Sequence, residues 1–332
     1  MRFMPMQKIL IIPQNWLGDI IMSQTLLKKV KSENPNILID ILVNSTFINL
    51  VERMPEINKA ITLDCNHEEL GFFKRLNLAR KIKGNYDRSI ILSRSLKSAL
   101  IPYLAKIPIR TGELGESRYL LINDLRKFTK ENRRKTAFRY VSMFSKTEEE
   151  LDEKYYPDLK PDPENMKKLL KKYKLNFEKK IVIFAPGAAF GPSKMWPVER
   201  FKELGEKLNK NFFILILGSD KEKNIGDKII TGKNMINLCG KTSIADATDL
   251  MHVSDFCVSN DSGLMHLASA TNTRSISIYG ATSPELTPPL TLNKEIHYKG
   301  MPCSPCFEKI CKYGHYNCLV EIQADDVFKS FK

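Results

Sequence analysis

The chain has 332 residues, 42% of them hydrophobic and 27% charged, an ordinary balance for a folded protein and enough length for two domains with separate cores. No apolar run approaches the roughly 18 residues of a membrane span, which excludes an integral helical membrane protein. Of the net charge of +14, nearly all the excess lies in segment 72–139, where 18 Lys or Arg face five Asp or Glu.

Residues 1–8 lead into an apolar run, 9–13, followed by Asn15, Trp16 and Asp19 rather than a small-residue cleavage site, so a cytoplasmic strand is expected instead of a signal peptide. From there β-rich runs alternate with amphipathic stretches. The pattern predicts strand 8–13, helix 20–33, strand 37–43, helix 47–54, strand 60–63, helix 72–83, strand 88–92, helix 96–105 and strand 107–111. A polar, proline-bearing region, 146–163, breaks the rhythm and reads as a linker, dividing the chain into domains 1–155 and 156–332. The alternation then resumes: helix 163–173, strand 181–185, helix 198–208, strand 212–217, helix 221–230, strand 235–238, helix 244–253, strand 255–259, helix 263–270 and strand 275–279. Parallel strands need such crossovers, so the fold class is α/β with two consecutive parallel sheets, and a ligand is expected in the cleft between their carboxyl edges.

Residues able to do chemistry share one address, the loops after strands. Asp261, Ser262 and Gly263 turn strand 255–259 into the next helix, where backbone amides can approach a diphosphate; an ordinary helix cap is the plainer reading. Asp19 follows the first strand and is either a general base or a cap. In segment 184–197, Gly187 and Gly191 free the backbone and Lys194 supplies a cation for a leaving phosphate. A P-loop is excluded, because Pro192 and Ser193 intervene between Gly191 and Lys194. Glu222, after Gly218, can accept two ribose hydroxyls, and segment 238–243 can line a base pocket. The first strand is not followed by Gly-x-Gly-x-x-Gly, which argues against a dehydrogenase.

Of the seven cysteines, Cys65, Cys239 and Cys257 sit among apolar residues and read as core. Cys303, Cys306, Cys311 and Cys318 follow a C-x2-C-x4-C-x6-C spacing that suits either a metal or reduced thiols in a loop-rich segment. The basic segment suits an anionic macromolecule, a membrane surface or a solvated exterior. Nucleic acid is not expected, since zinc-finger, RNA-binding and basic-zipper patterns are missing from the sequence.

Taken together, Gly18-Asp19, Pro186-Gly-Ala188 with Lys194-Met-Trp-Pro197, Gly218 with Glu222, Gly240-Lys-Thr242 and Asn260-Asp-Ser-Gly-Leu-Met-His266 resemble the bacterial heptosyltransferases of glycosyltransferase family 9, across almost the whole chain. Phe190-Gly-Pro-Ser-Lys194 and Cys303-Ser-Pro-Cys-Phe307 with Gly314-His-Tyr-Asn-Cys318 look most like its heptosyltransferase II branch. The resemblance implies a GT-B architecture of two Rossmann-like domains, with the acceptor bound by the first and ADP-heptose by the second. It implies an inverting transfer onto an inner-core heptose, without a required cofactor or a catalytic metal.

By position, Asp19 would be the base and Lys194 would stabilise departing ADP. Asp261 would hold sugar hydroxyls, and the amides of Ser262, Gly263 and Leu264 would cradle the diphosphate. Gly187 and Ala188 would line the donor site, Glu222 would bind ribose, Thr242 would lie on the adenine side and His266 would support the phosphates. Lys81, Lys83, Arg133 and Arg134 would meet the anionic lipid A inner-core acceptor at the inner leaflet, where a cytoplasmic, peripheral enzyme would dock. Heptosyltransferase I, another nucleotide-sugar glycosyltransferase, an epimerase of this fold and a non-catalytic two-domain binder stay open alternatives.

Overall fold

Short runs of apolar residues, covered on both faces, form the central strands in the computed structural model of the chain, which describes residues 8–65, 69–145, 147–175, 178–271 and 273–332. The start of the chain ahead of Lys8, and Lys146 at the start of the expected linker, lie outside the described residues. The chain divides into two compact units, Met1–Asp158 and Leu159–Lys332.

The first unit holds strands β1 (Lys8–Ile12), β2 (Leu38–Val43), β3 (Lys59–Thr62), β4 (Arg88–Ile91), β5 (Ile109–Gly112) and β6 (Asp124–Leu125), with helices α1 (Leu17–Glu33), α2 (Ile48–Val51), α3 (Phe72–Ile82), α4 (Leu96–Leu104) and α5 (Thr136–Ser142). All pairs are parallel, in the order β3-β2-β1-β4-β5-β6. Ile9 of β1 stands opposite Ile39 of β2 and Arg88 of β4. Ile9, Leu10 and Ile11 are fully buried, as a strand sandwiched between helix layers requires.

In the second unit are β7 (Lys180–Ala185), β8 (Phe212–Ile216), β9 (Met235–Asn237), β10 (Phe256–Asn260), β11 (Arg274–Tyr279) and β12 (Lys294–Tyr298). Its helices are α6 (Pro163–Lys172), α7 (Val198–Leu208), α8 (Lys223–Ile229), α9 (Ile244–His252), α10 (Gly263–Ser269), α11 (Asn317–Val320) and α12 (Ala324–Phe328). The sheet is again parallel, in the order β12-β11-β10-β7-β8-β9. Phe184, Trp196 and Phe201 pack edge-on beneath it among Val182, Ile216 and Val258. Both sheets change direction at their middle, between β1 and β4 and between β7 and β10, and ligands of doubly wound sheets bind outside the carboxyl ends of the strands at such a reversal.

Several elements depart from the sequence expectation for local reasons. Helix 47–54 shrinks to α2 behind a 3-10 turn, Ser45–Phe47, capped by the Asn44 side chain. Helix 221–230 opens with a 3-10 turn, Asp220–Glu222, because Ser219 and Glu222 cap each other. Within the expected linker, Glu153–Tyr155 forms a 3-10 turn and Asp162 caps α6 with Pro163 at its first position, so the linker ends as helix. Strands β6 and β12 and helix α5 were not expected; β6 is only two residues long, and β12 is a half-buried strand hydrogen-bonded to β11 alone. No helix among the described residues is long and apolar enough to cross a membrane.

Candidate functional site

At the reversal of the second sheet, the side chain of Asn260 at the end of β10 ties down the loop that follows β7. Its Nδ2 donates to the Pro186 carbonyl at 2.7 Å, while its Oδ1 accepts from the Trp196 amide at 3.0 Å, so both ends of segment 186–196 are fixed by one buried residue. Trp196 anchors that segment in the core, donating its indole N–H to Ile322 O at 2.9 Å. Lys194, in the 3-10 turn Pro192–Lys194, therefore projects from a braced loop. Its Nζ donates to Asp261 Oδ2 at 2.7 Å, and Thr282 Oγ1 donates to the same oxygen at 2.6 Å. Asp261 is 4% exposed, so the lysine and the threonine carry the compensation of a buried carboxylate. Beside it, Ser262 Oγ is buried and has no hydrogen-bond partner among the described residues.

Glu222 stands next to this turn's neighbour. A Cβ on Gly187 would lie 2.6 Å from Glu222 Cγ, so only glycine lets the β7 and β8 loops approach this closely. Glu222 Oε2 accepts the Ser219 amide at 2.7 Å and also its hydroxyl, which orients the carboxylate while Oε1 has no partner among the described residues. The β9 loop turns at Gly240, whose φ of +74° favours glycine and whose Cβ position lies 2.9 Å from Asp220 Oδ1. Thr242, two residues on, is half-buried ahead of the Ser243 cap of α9.

His266 is buried on α10, and desolvation pushes its pKa down to about 4, with Asp261 opposing and Lys194 adding to the shift. It is neutral at physiological pH. A histidine that titrates at 6.5 unfolded and about 4 folded takes up its proton more readily in the unfolded state, so stability falls with acidification through that window. Between pH 7 and pH 5 the wild type is expected to lose about 2 kcal/mol more than His266→Gln. Urea midpoints of the two proteins at both pH values measure this, and equal losses would refute it.

In the first unit, Asp19 lies in the first turn of α1, directly beyond the carboxyl end of β1. Tyr140 Oη, on α5, donates to Asp19 Oδ1 at 2.7 Å, and Gln14 Nε2 donates to the Tyr140 oxygen at 3.1 Å. Burial, then the charge of Asp19, holds the Tyr140 hydroxyl well above the ordinary tyrosine range, so it remains a donor and fixes the orientation of the carboxylate. The side chain of Trp16, which starts the helix, makes no capping hydrogen bond.

The model of glycosyltransferase family 9 (heptosyltransferase) matches residues 75–317. Over 298 residues the chain is 38% identical to lipooligosaccharide heptosyltransferase 2 of Haemophilus influenzae, covering 85% of this chain and 86% of that one. It is 35% identical to lipopolysaccharide heptosyltransferase 2 of Escherichia coli, over 86% of each. The solved structure of E. coli ADP-heptose lps heptosyltransferase II superposes with a TM-score of 0.85 at 31% identity, covering 98% of this chain and 97% of that one. The chain belongs to glycosyltransferase family 9.

This family 9 glycosyltransferase has the GT-B fold that the resemblance implied, with two six-stranded parallel sheets. Of the residues singled out from its sequence, Lys194, Asp261 and Ser262 meet at one reversal point, and Gly187 meets Glu222 in the neighbouring loops. Ala188 follows Gly187 in the same loop, while Gly263, Leu264 and His266 continue the Asp261 turn into α10. The four basic residues separate into two pairs. Arg133 and Arg134 form the 3-10 turn that leads into α5, and Arg133 Nε lies 3.9 Å from Glu113, just beyond the carboxyl end of β5. Lys81 and Lys83 end α3 and lead into the start of β4, which puts them at the amino edge of the sheet, away from Asp19. The reason is topological: a crossover helix returns the chain to the opposite edge.

Sequence reading of the family 9 chain missed Tyr140, Thr282 and the bracing role of Asn260. Tyr140 is 121 positions from Asp19 and sits on a helix that periodicity did not reveal, so no local signal pairs them. Asn260 was visible as part of the Asn-Asp-Ser-Gly run, but its partners Pro186 and Trp196 are set by the β7–β10 pairing.

Proposed function

We propose that the enzyme transfers heptose from ADP-heptose to a heptose of the lipopolysaccharide inner core, the reaction for which its heptosyltransferase 2 relatives are named. The observation that carries this reading is the Lys194 cation held by a buried Asp261 at the sheet reversal, beside the unpartnered Ser262 hydroxyl. Such a group neutralises the charge that appears on a departing nucleoside diphosphate. The acceptor hydroxyl attacks the anomeric carbon, its proton passes to Asp19, and the bond from that carbon to the diphosphate oxygen breaks, inverting the centre. In this scheme the second domain binds the donor: Glu222 takes the ribose, Thr242 the adenine side, Gly187 and Ala188 the diphosphate flank, and the amides of Ser262, Gly263 and Leu264 its oxygens. Asp261 orders Lys194 and meets sugar hydroxyls, and neutral His266 supports the phosphate region. The first domain takes the acceptor, and its basic surface favours an anionic inner-core lipid at the cytoplasmic leaflet as a peripheral enzyme would. The chemistry needs no metal, because lysine and backbone amides supply the positive field.

A turnover assay tests this, with ADP-heptose or a UDP-sugar as donor and lipid A acceptors with or without a first heptose. Product is expected only from ADP-heptose with the heptose-bearing acceptor. Transfer to the heptose-free acceptor would instead identify the first-heptose enzyme, and turnover with UDP-sugars alone would reject the donor. In the same assay Arg133→Gln with Arg134→Gln should raise the acceptor KM at least about tenfold while leaving the donor KM alone, whereas Lys81→Gln with Lys83→Gln should leave both near wild type.

A further inference from the structure

Segment 301–316 of the second unit contains no helix or strand and no buried side chain, yet it is braced against the donor loops. Phe307 N donates to Ala281 O at 2.8 Å, and Ser193 N donates to Lys309 O at 3.2 Å. Ser304 Oγ donates to Gly280 O, Ser193 Oγ donates to Glu308 O, and a Cβ on Gly191 would lie 2.7 Å from Lys309 O. Irregular stretches of this length are uncommon in a packed domain unless something other than a core fixes them. Phe307, Ile310 and Tyr313 are exposed and Met301 and Tyr316 only half-buried, so the hydrophobic effect does not do it.

What the segment does hold is Cys303, Cys306, Cys311 and, two residues past its end, Cys318, all free thiols lining one cavity of about 170 Å³. Gly314 N donates to the Cys311 carbonyl at 3.1 Å, folding residues 311–314 into a tight turn at that cysteine. Gly314 and Tyr316, in and just after this turn, take positive φ values of +73° and +52°. Among the described residues no three of the His, Cys, Asp or Glu side chains stand together as a ligand set, and Cys306 is exposed, so joint coordination requires the four thiols to draw together over the cavity.

We propose that these four cysteines form a structural site for one thiophilic transition-metal ion, zinc or iron, which clasps segment 301–316 and through it the loops bearing Lys194 and Thr282. Four sulfur ligands leave no open position, so the ion takes no part in transfer, and soft thiolates select zinc or iron over magnesium or calcium. Elemental analysis of the purified full-length protein, grown with zinc and iron supplied, is expected to find about one ion per chain in total, and the element found separates zinc from iron. Cys306→Ser should lower that stoichiometry several-fold, and Cys257→Ser, in the core, should not. Reconstitution of stripped protein with Co2+ should give visible sulfur-to-metal charge-transfer bands in the wild type that Cys306→Ser lacks. Metal-free protein that takes up neither Zn2+ nor Co2+, or a native mass showing these cysteines joined as disulfides, would overturn the proposal. The measurement does not depend on turnover, so it stands or falls apart from the heptosyl-transfer reading.

Discussion

Asp19→Ala is expected to lower kcat by about 10²- to 10⁴-fold while leaving ADP affinity unchanged, because it removes the proposed proton acceptor of the first domain and leaves the proposed donor groups, Lys194 and Glu222, intact. Asp19→Asn should behave alike, since the amide keeps the shape and loses the basic oxygen. The expected loss is in chemistry and not in folding: Asp19 accepts from Tyr140, and in the alanine variant that hydroxyl keeps its hydrogen bond from Gln14. Tyr140→Phe offers a graded control. It leaves the carboxylate in place but frees its orientation, and a loss of about tenfold, the worth of one such hydrogen bond, is expected. Single-turnover rates and ADP titration by calorimetry check all three. A rate for Asp19→Ala within about threefold of wild type would remove Asp19 from the reaction, since even a modest general base contributes far more than that.

The parallel architecture was legible because short apolar strand cores, as in β1 and β7, alternate with amphipathic helices, as in α6 and α7. Elements that escaped, such as α5 and β12, have mixed composition and owe their form to what they pack on. Site residues followed the same division. Lys194, Glu222 and Asp261 announce themselves by standing after strands of the second sheet, an address that its topology turns into nearness, and Asp19 stands likewise after a strand of the first. Their partners could not be read, because Tyr140, Thr282 and Asn260 act through pairings between distant loops. Charge density shows the opposite failure: segment 72–139 is basic throughout, but residue counts carry no information about which edge of the sheet a lysine occupies. Arg133 reaches the carboxyl edge and Lys83 does not.

Lys194→Ala is expected to reduce kcat by about 10²- to 10³-fold, the cost of deleting one positive group aimed at developing charge. It should also destabilise the second domain, because Asp261 is 4% exposed and would keep only Thr282 as its side-chain partner. Breaking a buried pair on one side costs about 3–5 kcal/mol, and the low end applies here, since the Lys194 side chain is 16% exposed and Thr282 still donates. The two effects separate in a double variant. Asp261→Asn in the Lys194→Ala background removes the stranded charge, so the unfolding midpoint should return most of the way toward wild type, while turnover stays low because no cation faces the leaving diphosphate. If the double variant instead regained activity along with stability, the lysine would be a counter-ion for Asp261 and nothing more, and the positive field on the departing ADP would have to come from the Ser262–Leu264 amides alone.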